Sequence, residues 1–343
     1  MATLKEIAEK AGVSTITVSR VLSDKHPNKV SAETRARVLR IAEELGYRPN
    51  IAARALRERR TYQFGLVIPS IDESFIADVV QGLQNVAMDL HYSCLLYVTK
   101  FEPGLELEIF RTLVKKGADG VLWLPRPQRD PEVDRIARDL PVVQLYHKEV
   151  PDAPAILVDQ EHGAYAATKH LLDLGHRRIA KLAGHDRHGR QRLAGYYRAL
   201  CEAGLEPDPD LIRAIPTHAR PFDVHWERAR SATHALLSSN DPPTAIVCYS
   251  DLVAWGALRA AQESGVAVPE SLSLVGFDDI QFIRFVEVPM TSVAQPKREL
   301  GELAMSTLDR LIRGEKVDDI TLVPSLVRRA STAPPAHTWR DRQ

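Results

Sequence analysis

Apolar positions near the start of the chain recur with a helical period, stop, and resume. In TLKEIAEKAGVSTITVSRVL, residues 3–22, Ile7, Ala8 and Ala11 share one helical face, Gly12 interrupts it, and Val13, Val18, Val21 and Leu22 restart it. Thr3 before Glu6 reads as a capping box, Gly12 as a left-handed stop, and Ser14 as the cap of the next helix. Two helices joined by a glycine turn make a helix-turn-helix; a plain helical hairpin with a solvated face is the alternative. SAETRARVLRIAEELGY, residues 31–47, continues as a third amphipathic helix whose Val38, Leu39, Ile41, Ala42 and Leu45 close a core over the first two. Pro49 ends it and Asn50 can cap a further segment. Residues 51–57 are basic, alanine-rich and too short to hold a helix in isolation.

Beyond residue 62 the period changes. FGLVI, SCLLYV, GVLWL and VVQL are apolar runs of strand length separated by helical stretches such as 75–90 and 105–116. RIAKLAG, LIRAI, TAIVC and SLSLVGF repeat the alternation. Strands alternating with helices predict parallel sheets, and two such series predict an α/β body of two doubly wound subdomains. The expected division is 1–48 for an all-α helix-turn-helix head, 49–61 for a hinge helix and linker, 62–332 for the body and 333–343 for a tail. Within the body the subdomains are expected at about 62–160 plus 287–320 and about 161–286 plus 321–332. Ligands of this architecture bind beyond the carboxyl ends of the strands, in the cleft between subdomains.

Charge adds a partner. The 343 residues are neutral overall, but residues 1–60 hold 13 Lys and Arg against 7 Asp and Glu, leaving 32 against 38 for the rest. A basic head on an acidic body suits a polyanion bound by the head alone. On the second helix Thr15, Ile16, Thr17, Ser19 and Arg20 lie on or near the face opposite the valines. Hydroxyls reach phosphates or bases, Ile16 can touch a thymine methyl, and Arg20 can grip guanine O6 and N7.

Cys94, Cys201 and Cys248 are isolated, with neither disulfide nor zinc spacing. The first twenty residues hold no apolar signal core, and no later run approaches the roughly 18 apolar residues of a membrane span. A reducing cytoplasm is the expected compartment.

The same residues carry a resemblance. TLKEIAEKAGVSTITVSRVL with VSAETRARVLRIAEELGYRPNIAARALR resembles the DNA-binding head and hinge of the LacI/GalR family of bacterial transcription regulators. GLVIPSIDESFIADVVQGLQ, GADGVLWL, HLLDLGHRRIAKLAG, RLAGYYRAL, PTAIVCYSDLVAWGAL, VPESLSLVGFDDI and MTSVAQPKRELG are similar, in the same order, to that family's effector-binding body, whose fold resembles periplasmic sugar-binding proteins. Coverage runs from about Thr3 to about Ser331. The loop DKHPNKV after the second helix is longer than usual for the family. The resemblance implies a repressor that binds a pseudo-palindromic operator as a homodimer. Its DNA contacts would come from Thr3, Ser14, Thr15, Ile16, Thr17, Ser19 and Arg20 of the head and from Asn50, Ala53, Arg54, Leu56 and Arg57 of the hinge. The leucine matching Leu56 inserts into the minor groove.

Effector candidates sit at strand ends. Phe75 and Ile76 follow the first strand, Arg192 opens the helix of RLAGYY, Ser250 and Asp251 follow TAIVC, Asp278 follows LVGF, and Gln295 lies in a crossover. In sugar-binding members of the family the positions matching Arg192, Ser250, Asp278 and Gln295 contribute to ligand contacts, and Trp226 is a further candidate. A turn residue is the alternative for Asp278, and a core aromatic for Phe75. Where many members carry an Asp-Arg or Asn-Arg pair, this chain has Tyr146 and His147, which predicts altered specificity. GHDRHGRQR, residues 184–192, crowds cations beside one Asp186, either for an anionic sugar derivative or simply solvated.

No GxxxxGK[ST], GxGxxG after a strand or GxSxG elbow is present, and no cofactor or metal is called for. The function expected is therefore an effector-modulated regulator rather than an enzyme. An effector-independent regulator and a helix-turn-helix fused to a sugar-metabolising enzyme are the alternatives.

Overall fold

A computed structural model of the chain describes residues 2–23, 30–47, 60–72, 75–125, 130–216 and 223–336. The hinge candidates Asn50, Ala53, Arg54, Leu56 and Arg57 lie outside the described residues. Two compact units, Met1–Gln63 and Phe64–Gln343, are distinguished.

The first unit contains α1 (Leu4–Ala11), α2 (Thr15–Ser23) and α3 (Ala32–Glu44). Its punctuation is local chemistry. Thr3 Oγ1 accepts from the Glu6 amide while Glu6 Oε2 accepts from the Thr3 amide at 2.8 Å, so two otherwise orphaned donors are satisfied reciprocally. Gly12 takes φ 64°, the left-handed conformation that ends α1 and turns the chain toward α2. Ser14 Oγ then accepts from the Thr17 amide at 3.1 Å. Ile7, Ala8, Ala11, Val18, Val21, Val38, Ile41 and Ala42 form the core. Leu39 does not join it and is 45% exposed. The stripe Val38, Ile41, Ala42, Leu45 follows the i, i+3, i+4, i+7 spacing, and Leu39 stands one residue, about 100°, off that line.

The second unit holds two six-stranded sheets. The first has the order β11-β5-β4-β3-β1-β2, made of β1 (Gln63–Ile68), β2 (Ser93–Val98), β3 (Gly120–Trp123), β4 (Val142–Leu145), β5 (Ala155–Val158) and β11 (Ile320–Leu322). The second has the order β12-β10-β9-β8-β6-β7, from β6 (Ile179–Gly184), β7 (Ile212–Ile215), β8 (Ala245–Val247), β9 (Ser273–Asp278), β10 (Thr291–Ala294) and β12 (Ser325–Val327). Strand order reverses between β1 and β3 in one sheet and between β6 and β8 in the other, which are the switch points where such sheets open a crevice.

Helices α4 (Ile76–Asp89), α5 (Pro103–Lys115), α6 (Pro131–Asp139) and α11 (Lys297–Ile312) accompany the first sheet. The second sheet has α7 (Gln160–Asp173), α8 (Arg187–Glu202), α9 (Asp223–Leu237) and α10 (Asp251–Glu263). Two helix pairs approach at glycine. A Cβ on Gly195 of α8 would lie 2.0 Å from the Glu161 carbonyl of α7, and one on Gly301 of α11 would lie 2.1 Å from the Val79 carbonyl of α4. Neither backbone atom can give way as a side-chain tip would.

The chain passes between sheets after β5, between β10 and α11, and again between β11 and β12. Residues 287–294 therefore depart from their expected place in the first subdomain. β10 pairs parallel with β9, Thr291 beside Val275 through Ala294 beside Asp278. β11 likewise pairs with β5 from Ile320↔Ile156 to Leu322↔Val158, so the first sheet extends past the expected boundary at 320. Strands of three or four residues carry no sequence mark of the sheet they complete.

Candidate functional site

Each unit presents a site. In the first, packing of Val18 and Val21 inward turns the opposite face of α2 outward. Thr15 and Arg20 are exposed, Ile16 is 62% exposed, and Thr17 and Ser19 are half-buried. Thr3 and Ser14, both exposed, spend an oxygen on capping, and Ser14 Oγ lies 2.9 Å from Thr17 Oγ1. The result is a short helix with hydroxyls, one methyl-rich side chain and a guanidinium on one surface.

In the second unit, the strand ends β6, β8, β9 and β10 converge on a closed ring of side chains. Arg192 Nε donates to Gln160 Oε1 at 2.9 Å, Gln160 Nε2 to Gln295 Oε1 at 3.0 Å, and Gln295 Nε2 to Asp278 Oδ1 at 2.6 Å. Arg192 Nη2 returns to Asp278 Oδ1 at 3.5 Å. Arg192 also donates to the Tyr249 carbonyl, and its guanidinium lies 3.6 Å from the Phe277 ring centroid. All four polar residues are buried. Burial pushes the Asp278 carboxyl above the usual carboxylate range, while Arg192, Gln295 and Lys297 pull it back. The backbone of Asp278 stands at φ 105° and that of Tyr146 at φ 61°, conformations that L residues keep only where the surroundings impose them, as at ligand sites.

Across the cleft, Tyr146 and His147 follow β4. The Phe75 ring packs edge-on against Tyr146 at 4.9 Å, and His147 stacks on His188 of α8 at 4.1 Å with 21° between planes. Burial, with Arg187 nearby, lowers the His147 pKa to about 4. Ile76 is buried in the first turn of α4. Lys297 Nζ spans the two sides, donating to the Asp278 and Asp279 carbonyls at 2.7 and 3.0 Å and lying 3.2 Å from Asp78 of α4.

Sequence candidates separate accordingly. Asp278, Arg192 and Gln295 are brought together, and Phe75, Tyr146 and His147 form the facing wall. Ser250 caps α10 through the Val253 amide. Asp251 is fully buried, Oδ1 accepting from Ser292 Oγ at 2.5 Å and Oδ2 from the Ile280 amide at 2.8 Å. It ties β10 to the turn after β9, a structural duty that the strand-end position did not reveal. Trp226 of α9 packs 5.9 Å from Trp255, and its Nε1 is buried without a hydrogen-bond partner among the described residues. Among the described residues no hydrogen bond or ring contact joins it to the Asp278 ring.

The loop 184–192 is not a free cationic cradle. Asp186 caps α8 through the Gly189 amide and accepts from Tyr249 Oη at 2.6 Å; Arg187 pairs with Glu149 at 2.5 Å; Arg190 donates to the His185 carbonyl. No group of three or more potential metal ligands occurs among the described residues, and among them no helix is long and apolar enough to cross a membrane. Sequence reading missed Gln160, Tyr249 and Lys297, and noted His188 only among the basic residues of the loop 184–192. Only Gln160, placed at a crossover, offered a signal.

The class these features define is a helix-turn-helix DNA reader joined to a two-sheet ligand-binding body. Residues 3–50 match the model for bacterial regulatory proteins of the lacI family, and residues 168–332 match that for a periplasmic binding protein-like domain. The ribose operon repressor of Haemophilus influenzae is 36% identical over 96% of this chain and 98% of its own length. The transcriptional repressor CytR of Escherichia coli K12 is 34% identical over 92% of this chain and 91% of its own. Among solved structures, a complex of the transcriptional regulator CelR with cellobiose has a TM-score of 0.70, with 31% identity over 96% of this chain and 100% of that one. A lac repressor dimer bound to operator and an anti-inducer reaches 0.80, with 28% identity over 97% and 99%. The chain belongs to the lacI family and is a DNA-binding transcription regulator.

Proposed function

We propose that the chain acts in the cytoplasm as a repressor whose homodimer binds a pseudo-palindromic operator and whose affinity shifts when a sugar or sugar derivative enters the cleft of the body. The observation that carries this reading is the ring of Asp278, Arg192, Gln160 and Gln295. Buried charge is costly unless it is used, and a carboxylate beside a guanidinium holds adjacent hydroxyls. The ring spans two of the three crossovers, so a ligand that touches it and the Phe75–Tyr146 wall binds the closed arrangement better than the open one. That difference is the only lever by which it could shift the equilibrium. The names of the ribose operon repressor and of the CelR–cellobiose complex support a sugar-class effector, and the lac repressor dimer on its operator supports two heads on two half-sites. Exposed Phe282 and Phe285 in the second subdomain, the latter 79% exposed, offer apolar area for a second copy.

Selection of binding sites from random duplex DNA with the full chain, followed by operator titration with and without each sugar of a panel, tests the reading. Enrichment of a two-fold symmetric site and a sugar-dependent midpoint are expected. Enrichment of no sequence, or sugars that raise the melting temperature without moving the operator midpoint, would overturn it.

A further inference from the structure

The turn that carries Asp278 is held from two directions. Asp278 and Asp279 stand at φ 105° and 48°, consecutive positive values in residues that are not glycine, so the surroundings must impose them. From the second subdomain, Ser292 Oγ accepts from the Asp279 amide at 3.1 Å and Asp251 Oδ2 from the Ile280 amide at 2.8 Å. The Asp279 carboxylate is gripped by Arg284 at 3.0 Å and by Arg329 at 2.6 Å. The carbonyls of Asp278 and Asp279 go the other way, both accepting from the Lys297 ammonium, at 2.7 and 3.0 Å. Lys297 opens α11, which packs on α4, β3 and β4 of the first subdomain. That packing is close: a Cβ on Gly82 of α4 would lie 2.0 Å from the Arg298 carbonyl, and Arg298 donates to Gln81 Oε1 at 2.6 Å.

Asp78 Oδ2 of α4 lies 3.2 Å from the same ammonium. Its three N–H donors therefore meet three oxygens, two on the second subdomain and one on the first. Lys297 is buried, and a buried ammonium is costly unless its donors are met. A shift of the turn must carry the ammonium with it or leave that charge unpaired. A planar guanidinium could not converge on two adjacent carbonyls and a carboxylate in the same way. We propose that Lys297 is a positioning residue, which fixes the Asp278 carboxylate through the backbone of its turn and ties that turn to α4 by way of Asp78. It needs no ligand contact to do so. The tie is a property of the unliganded chain, and its bearing on an effector rests on the cleft reading above.

Hydrogen exchange of the full-length unliganded protein, followed by mass spectrometry, reads the tie at the Asp279 and Ile280 amides. Lys297→Met keeps the stem and removes the donors, and should speed exchange there about tenfold or more, with α9 unchanged. Lys297→Arg should restore little of the protection; full restoration would reduce the residue to a charge and overturn the three-oxygen geometry. Asp78→Ala changes a half-exposed side chain on the other subdomain and should leave the fold intact. It should still speed exchange at Asp279 and Ile280, by about twofold, and add nothing once Lys297 is Met. A lysine that merely stabilised its own helix would not carry that effect across. Unchanged exchange at the turn in Asp78→Ala, or an equal increment with and without Lys297, would overturn the proposal. Thermal-shift titration with D-ribose and cellobiose separates it from the reading beneath. A sugar that binds should be weakened by Lys297→Met in the wild-type chain and not in the Asp278→Asn chain. A sugar weakened by Asp278→Asn, with the exchange pattern absent, leaves the cleft standing and removes the tie. The exchange pattern, with a sugar that binds indifferent to Asp278→Asn, leaves the tie standing and removes the cleft reading.

Discussion

The side-chain amide of Gln160 donates to that of Gln295 at 3.0 Å, joining two residues 135 positions apart in sequence. Gln160 opens α7 just after the first crossing between sheets, and Gln295 lies in the second. The hinge of the body is therefore tied across itself, and Gln295 passes the tie to Asp278. A ligand group that competes for Asp278 Oδ1 acts directly on the crossovers.

Asp278→Asn keeps an acceptor for Gln295 but removes the charge facing Arg192. Effector affinity should fall by about 1.5–3 kcal/mol, the range of a hydrogen bond to a charged group, with operator binding in the absence of effector nearly intact. Linkage requires that operator DNA and effector alter each other's affinity by one factor. A variant that responds to effector with wild-type midpoint and amplitude would show that the carboxylate is only a turn residue.

On the head, Arg20 is exposed on the outer face of α2, next to the half-buried Ser19. Arg20→Ala should cost about 1–3 kcal/mol for each bidentate guanine contact and relax base preference at one position of each half-site. Site selection with the variant checks this; an unchanged guanine preference would assign the base contact elsewhere.

Asp251 gives a pH signature in the body. Burial first, and the neighbouring Asp278 charge second, push its carboxyl up to about 8. The folded chain then holds a proton that the unfolded chain releases near its ordinary value of 3.8, so this residue's contribution is present below that value and is lost as pH rises through about 8. Asp251→Asn can accept from the Ile280 amide and donate to Ser292 Oγ without ionising. Its melting temperature should exceed that of the wild type most at about pH 8 and converge with it near pH 4. Parallel curves across that range would mean that Asp251 is charged in the fold.

Much of the head was legible because its signals are local: Thr3 with Glu6, Gly12 and Ser14 each act within four residues. Leu39 was misplaced because an apolar residue beside a helical stripe looks like part of it. In the body the alternation of strands and helices was plain, yet the four residues of β10 say nothing about which sheet they join. Arg192, Asp278 and Gln295 were readable as strand-end or crossover residues, supported by the family resemblance. Asp251 shared that placement but turns inward, against Gly276, where a Cβ would lie 2.1 Å from its Oδ1. Lys297 could not be read, and His188 was legible only as one basic residue of the loop 184–192, since each meets a partner brought from the other side of the cleft.

Among the described residues Lys181 is the one buried lysine in the middle of a strand, and the fold gives it little. Its ammonium lies in β6 with no exposure, and its one hydrogen bond among the described residues reaches the Cys248 carbonyl at 3.5 Å. Burial, aided by the Arg192 charge, lowers its pKa to about 7. The unfolded chain binds this proton up to its ordinary value of 10.5, so between about 7 and that value stability rises with pH, and at neutral pH most of the penalty is already felt. Lys181→Met preserves length and fills the same space without a charge. Replacing poorly paired buried charge by an apolar side chain of similar volume is often neutral or stabilising by about 1–4 kcal/mol. Denaturant titration at about pH 7 should show that gain, and repeating it above about pH 10 should show the two proteins converging. A variant less stable than the wild type at neutral pH would mean that the ammonium is better satisfied than a single long hydrogen bond allows.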